Sequence, residues 1–224
     1  MIKTDDSKRE SLSSRIKNTM SFLCRFPIVT IITLLAIMTF CLLTRWDVIP
    51  SYLFINYYNK TLNGELWRPF VSWLPHLDLE HIVMDTFYLI IIGSIVELKY
   101  GALNFLAIFF GGNILGAWLS VFFDSVFPGT MGSSSGSHGL VLYLCIIEIA
   151  LRQHKLITII FYWGTIFYLI YLTLCGIILG YMGWPFVFFL NGGYDHLGGI
   201  TFAMIFGSIE ILLLKRKRDF IKNA

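Results

Sequence analysis

Long apolar runs separated by short polar connections organise this chain. Residues 1–26 are polar and mixed in charge, without apolar periodicity, and read as a solvated tail. The run Pro27–Thr44 is apolar throughout, and five further apolar stretches follow at roughly 79–98, 103–123, 135–151, 156–180 and 196–214. A helix of about 20 apolar residues crosses the hydrocarbon core of a bilayer, so the pattern predicts six transmembrane spans. The 135–151 stretch is short for a span and contains His138 and Glu148. The first run lacks an A-x-A cleavage signature, which favours a retained span over a removed secretory signal. Between the first two runs, residues 45–77 form an amphipathic connection carrying Trp46, Tyr57, Tyr58, Trp67 and Trp73. Pro185 and the Gly192–Gly193 pair mark the loop before the last span as irregular. The sequence shows no inverted or direct repeat of the kind many secondary transporters carry.

Composition agrees with this reading. Of the 224 residues, 56% are hydrophobic and only 14% charged, whereas a soluble domain is about a quarter charged. The expected organisation is a polar tail over 1–26, a six-span all-α core over 27–214 and a basic tail over 215–224. Orientation follows from where Lys and Arg fall. Lys3, Lys8, Arg9, Arg15, Lys17 and Arg25 precede the first span, Lys99, Arg152 and Lys155 lie in the second and fourth connections, and Lys215, Arg216, Lys217, Arg218 and Lys222 follow the last. Only Arg45, Lys60 and Arg68, all in the first loop, lie on the other side. Both termini are therefore expected to be cytoplasmic. Cys24, Cys41, Cys145 and Cys175 form no C-x-x-C pair and read as small packing residues.

With this topology, spans two, four and six all enter the membrane from the outer side, and each carries its polar residues near that end. Span two has His81 and Asp85, four apart and so on one helix face. Span four opens with Ser134 and carries His138 one turn later; span six opens with His196. Ionisable groups within a span are costly, and their convergence from three helices points to function. Taken singly, each could be a helix cap or a residue reaching the interface. The segment Gly132-Ser133-Ser134-Ser135-Gly136-Ser137-His138-Gly139 could by itself be a flexible loop with caps. A serine, however, becomes a nucleophile when a histidine takes its proton, and Gly198-Gly199 after His196 would let two helices approach closely enough.

These residues resemble the rhomboid family of intramembrane serine proteases over essentially the whole six-span core. Glu65-Leu66-Trp67-Arg68 is similar to the family's Trp-Arg signature in the first loop. His76…His81-Ile82-Val83-Met84-Asp85, followed by Gly93 and Glu97, resembles its second span. Gly132-Ser133-Ser134, with Gly139 five residues on, is similar to its G-x-S, and His196-Leu197-Gly198-Gly199 to its catalytic histidine and packing glycines. The resemblance implies a Ser134–His196 dyad without an acidic third member. It implies an oxyanion hole from the Ser134 N–H and His81, with Trp67, Arg68, Gly132, Gly198 and Gly199 as structural motif residues. Asp85 departs from the family, which usually has asparagine there. Either it donates a hydrogen bond to the oxyanion as asparagine would, or it turns toward His81 or a helix end. Ser135 replaces a common glycine, and His138 stands where an aromatic often packs on the catalytic histidine.

The implied activity is cleavage of transmembrane segments of other membrane proteins near the outer face, with no cofactor, no metal and no nucleic acid involved. The substrate span would come laterally from the lipid, and the fifth span with Tyr181–Tyr194 would be the moving gate. The composition fits a bacterial inner (cytoplasmic) membrane. A non-catalytic relative that binds membrane clients for quality control would be expected to have lost the serine or the histidine. A membrane metalloprotease is excluded for lack of H-E-x-x-H.

Overall fold

The computed structural model describes residues 26–124, 128–151, 162–167 and 193–223, together with 170–171, 173–174 and 177–178. Among them are five helices long and apolar enough to cross a membrane. They are α1 (Ile28–Arg45), α4 (Leu79–Tyr100), α5 (Ala102–Phe123), α6 (Ser134–Leu151) and α7 (Gly193–Asn223, apolar to Arg216). The predicted span 156–180 and the predicted gate at 181–194 lie largely outside the described residues, although 162–167 are helical. The chain is an integral membrane protein. Large apolar side chains such as Ile32, Leu35, Phe87 and Leu213 point outward, as lipid-facing residues do. The last helix runs past residue 214, where the sequence predicts a tail, because Lys and Arg are good helix formers and favour a helix C-terminus.

The amphipathic first connection contains regular structure. It contains α2 (Tyr58–Leu62), α3 (Arg68–Val71) and strand β1 (Asn56–Tyr57). The strand pairs antiparallel with β2 (Gly129–Thr130), Asn56 opposite Thr130 and Tyr57 opposite Gly129. Asn56, fully buried, donates to the Ala117 carbonyl of α5 (3.0 Å) and accepts from the Thr61 hydroxyl (2.8 Å). The first loop is thus tied to the residues just ahead of Ser134.

Arg68 holds the loop's shape. Its side chain is 1% exposed; Nη1 donates to the carbonyls of Tyr52 (2.9 Å), Leu53 (3.0 Å) and Ile55 (2.6 Å), while Nε reaches Glu65 (2.7 Å). Trp67, by contrast, is exposed, with the guanidinium over its ring. Arg68→Ala removes the guanidinium from all of these acceptors, of which the Ile55 carbonyl keeps the Tyr57 N–H (2.9 Å); each buried acceptor left without a donor costs about 1–3 kcal/mol. The substitution is expected to lower the unfolding free energy in detergent by about 3 kcal/mol. Arg68→Lys should recover only part of this, having no planar fork. Equal melting of Arg68→Ala and the parent would contradict the assignment.

At the opposite end of the bundle, Glu97 of α4 caps α1. Its carboxylate accepts from the Val29 and Thr30 N–H groups (2.9 and 2.7 Å), which have no partner within their own helix. A regular helix would turn Glu97 roughly 120° away from Asp85, since 12 residues exceed three turns by a third of a turn. A π turn at Leu89–Gly93 recovers part of that rotation, and both carboxylates are buried.

Helix α7 packs along both α5 and α6. Backbone meets backbone there: a methyl added to Gly198 would lie 2.2 Å from Gly116, and one on Gly199 1.9 Å from the Ser135 carbonyl. Gly112 and Gly116 of α5 supply the facing surface, in the small-xxx-small spacing that lets membrane helices close up.

Candidate active site

Ser134 is the first residue of α6, reached from β2 through Met131, Gly132 and Ser133. Gly132 sits at φ +109°, where a side chain would be strained, and a Cβ there would come within 2.7 Å of the His81 ring. Its N–H donates to the Ser72 carbonyl (2.9 Å), fixing the turn to the first loop. Being at a helix N-terminus, the Ser134 N–H has no acceptor within the helix and is available to a developing negative charge.

His196, in the first turn of α7, places Nε2 2.9 Å from Ser134 Oγ. That is hydrogen-bond distance for a hydroxyl donating to a neutral imidazole. The contact depends on the close crossing of α5, α6 and α7. Ser135, next along, has its hydroxyl 2.6 Å from the Asp195 carbonyl and 2.9 Å from that of Gly112, and its backbone carbonyl abuts Gly199. The Gly136 N–H donates to Asn113 Oδ1 (3.0 Å). On the other side, the His138 ring stacks on His196, centroids 4.2 Å apart and planes 16° from parallel. His138 Nδ1 donates to the Ser134 carbonyl (2.7 Å), which orients the ring. His138 is thus packed against His196, where the family resemblance implies an aromatic.

The polar end of α4 forms a second layer. Asp78 caps the helix, accepting the His81 N–H (2.8 Å). Asp85 has turned inward: Oδ2 accepts the Ser133 N–H (3.0 Å) and hydroxyl (3.2 Å), and lies 3.3 Å from His76 Nε2 and 3.5 Å from His81 Nε2. His76 sits ahead of α4 with its side chain fully buried, and its Nδ1 donates to the Leu74 carbonyl (3.0 Å). Burial alone would push the His76 pKa down, but the Asp85 carboxylate, with help from Cys41, raises it to about 9. At neutral pH the two therefore form a buried ion pair under the Gly132–Ser134 turn.

Of the sequence-derived site residues, the structure brings Ser134 and His196 into contact and sets the His81 ring against Gly132. Asp85 lies beneath Ser133, and Gly198 and Gly199 lie in the α5–α6–α7 crossing. Trp67 and Arg68 lie in the first loop. Sequence reasoning noted His76 only as part of a motif and gave no place to Asn113, Gly112 or Gly116. The Gly112–Gly116 spacing was the available signal for the last two. Nothing in the sequence separates His76 from an ordinary loop histidine.

Comparison with known proteins gives one family. The Rhomboid domain family matches residues 63–212. Rhomboid-like protease 1 of Toxoplasma gondii is 29% identical over 128 residues, covering 54% of this chain and 42% of that protein. Rhomboid-like protease 2 of the same organism is 35% identical over 95 residues, 42% of this chain and 32% of that protein. Rhomboid protease GluP of Bacillus subtilis (strain 168) is 33% identical over 85 residues, 37% of this chain and 17% of that protein. The aligned part covers less than half the length of each relative.

Proposed function

Because the chain belongs to the rhomboid family, we propose that it is an intramembrane serine endopeptidase, cleaving transmembrane segments of other membrane proteins near the outer face. The observation that carries the reading is the 2.9 Å contact between Ser134 Oγ and His196 Nε2 at the meeting of two helix N-termini. A peptide bond inside a helix is shielded, its groups tied into the backbone ladder. The substrate segment therefore unwinds locally before it is cut. Ser134 attacks the carbonyl carbon while His196 takes the hydroxyl proton; His196 then gives that proton to the leaving amine. The resulting acyl-enzyme is hydrolysed by a water that reaches the site from the outer face. The Ser134 N–H and the His81 side chain receive the oxyanion. Asp85 orients the surrounding donors, since its inward oxygen already accepts the Ser133 N–H.

The alternative, a non-catalytic member that binds membrane clients, is not favoured: the serine and histidine such a member would have lost are both in place. A fluorophosphonate probe should label the purified chain once, on Ser134, and a reporter membrane span should be cut in proteoliposomes. Absence of both would overturn the reading.

The catalytic unit of this reading is the core 27–214, with its site on the outer side and both termini in the cytoplasm. The bacterial inner membrane rests on composition; the aligned relatives come from a bacterium and a eukaryotic parasite. The orientation follows from the Lys and Arg distribution. In a background without the four native cysteines, a cysteine near Asn191 should react with an impermeant maleimide on intact cells. One near Asn223 should react only after permeabilisation. The reverse pattern would put the site on the cytoplasmic face.

A further inference from the structure

We infer that His76, His81 and Asp85 form a binding site for a divalent transition metal, with Zn2+ the best match, and that occupancy blocks the adjacent Ser134–His196 pair. Metal binding stands on geometry alone; the blocking effect rests on the protease reading above.

The donor set is two imidazoles and one carboxylate, a combination that suits zinc and leaves a fourth position open. Zn–N and Zn–O bonds of about 2.0–2.1 Å place the ligands of a tetrahedral ion about 3.3–3.4 Å apart. The separations from Asp85 Oδ2 are 3.3 Å to His76 Nε2 and 3.5 Å to His81 Nε2. The ligand atoms of all three residues lie within 4.8 Å of one another. Closing the remaining edge takes a small rotation of the His81 ring, which is 29% exposed and also opens the site to solvent. Two ligands come from one face of α4 at i and i+4, and the third from the turn before that helix.

The surroundings are those of a prepared ligand. His76 Nδ1 donates to the Leu74 carbonyl at 3.0 Å, which leaves Nε2 as the coordinating nitrogen, the arrangement that orients metal-binding histidines. Asp85 has a second oxygen that can take over the Ser133 N–H and hydroxyl when Oδ2 turns to the metal. The site exists because position 85 is aspartate: an asparagine there would offer a weakly binding amide oxygen with no charge.

A bound ion would act on the protease in two ways. It would take the His81 Nε2, so that this ring could no longer donate to an oxyanion. It would also place positive charge beneath the Gly132–Ser134 turn and shift the Ser133 N–H from one Asp85 oxygen to the other, which moves the turn.

The test uses the full chain, purified in detergent, titrated with Co2+ as a spectroscopic probe and then with Zn2+. The expected result is one Co2+ per chain with the visible absorption of a four- or five-coordinate N/O site, displaced by Zn2+ and removed by a chelator. Asp85→Asn and His76→Ala should each weaken binding at least about 100-fold, more than the loss of a group behind the ligands. Two variants of different kinds guard against one failing to fold, and melting curves would identify such a failure. Fluorophosphonate labelling of the parent should fall as Zn2+ is added, over the range in which it displaces Co2+, and recover with chelator. No Co2+ uptake, or equal uptake by parent and both variants, would overturn the site. Uptake with undiminished labelling would overturn the blocking effect. A parent that is never labelled would count against the protease reading, while the Co2+ titration would still decide the metal site.

Discussion

Ser134→Ala is expected to lower cleavage of a reporter span by about 10⁶-fold, to the background rate, and to abolish fluorophosphonate labelling. The size of the effect follows from the division of labour at the site. The Ser134 hydroxyl lies 2.9 Å from His196 Nε2, and no neighbouring serine can replace it without rebuilding the turn. Ser133 Oγ is buried against Asp85, and the Ser135 hydroxyl is held by the carbonyls of Asp195 and Gly112. Ser137 lies a turn deeper, buried. Ser133→Ala, Ser135→Ala and Ser137→Ala should each keep measurable turnover. His196→Ala should fall nearly as far as Ser134→Ala, and the double variant no further, because nucleophile and base act as a unit. Labelling that survives Ser134→Ala and vanishes with one of its neighbours would refute the assigned nucleophile.

The largest effect on folding is expected from Gly199→Ala. The added methyl would sit 1.9 Å from the Ser135 carbonyl oxygen and 2.7 Å from its carbon, which are backbone atoms of the turn carrying the nucleophile. Neither can swing aside as a side chain would, so α7 must move off α6. Overpacking against yielding side chains costs about 1–3 kcal/mol. Here the cost should exceed about 3 kcal/mol, the upper end of that range. Activity should drop further than stability accounts for, because the same displacement lengthens the Ser134–His196 contact. Gly164→Ala is the control, since no described residue lies within 4 Å of its added methyl. It should be neutral or slightly stabilising, as alanine is in a helix. Steric-trap or denaturant unfolding in detergent measures the first quantity and reporter cleavage the second. Equal stability of Gly199→Ala and Gly164→Ala would contradict a backbone-to-backbone crossing of α6 and α7.

The helical architecture was legible from hydropathy because the bilayer leaves few choices. A backbone in hydrocarbon must satisfy its own hydrogen bonds, so a long apolar run is a helix and its ends fall where polarity returns. The runs at 79–98, 103–123 and 135–151 agree with α4, α5 and α6 within two residues at each end. The polar residues near the outer ends of spans two, four and six could be singled out for the same reason: charge and polarity inside a span are expensive enough to need a cause. First-loop structure could not be found this way. Its strand is two residues long and exists only because β2 is brought beside it, and Arg68 finds its three carbonyls only once the loop has closed.

By itself, the sequence determined that this is a multi-span helical membrane protein and which few polar residues its spans carry. It also restricted the proposed nucleophile to one short serine cluster and the proposed base to a few histidines. The family resemblance already pointed to Ser134 and His196, but only tertiary structure brings the two together, since they are 62 residues apart and their 2.9 Å contact depends on glycines of three helices stacking backbone on backbone. Tertiary structure also decided the disposition of Asp85. The i, i+4 spacing puts Asp85 and His81 on one face, but only the buried turn beneath Ser133 brings His76 to the same carboxylate. Helix periodicity is a local property of the chain. The approach of His76 is set by where a loop packs, and no spacing along the sequence records that.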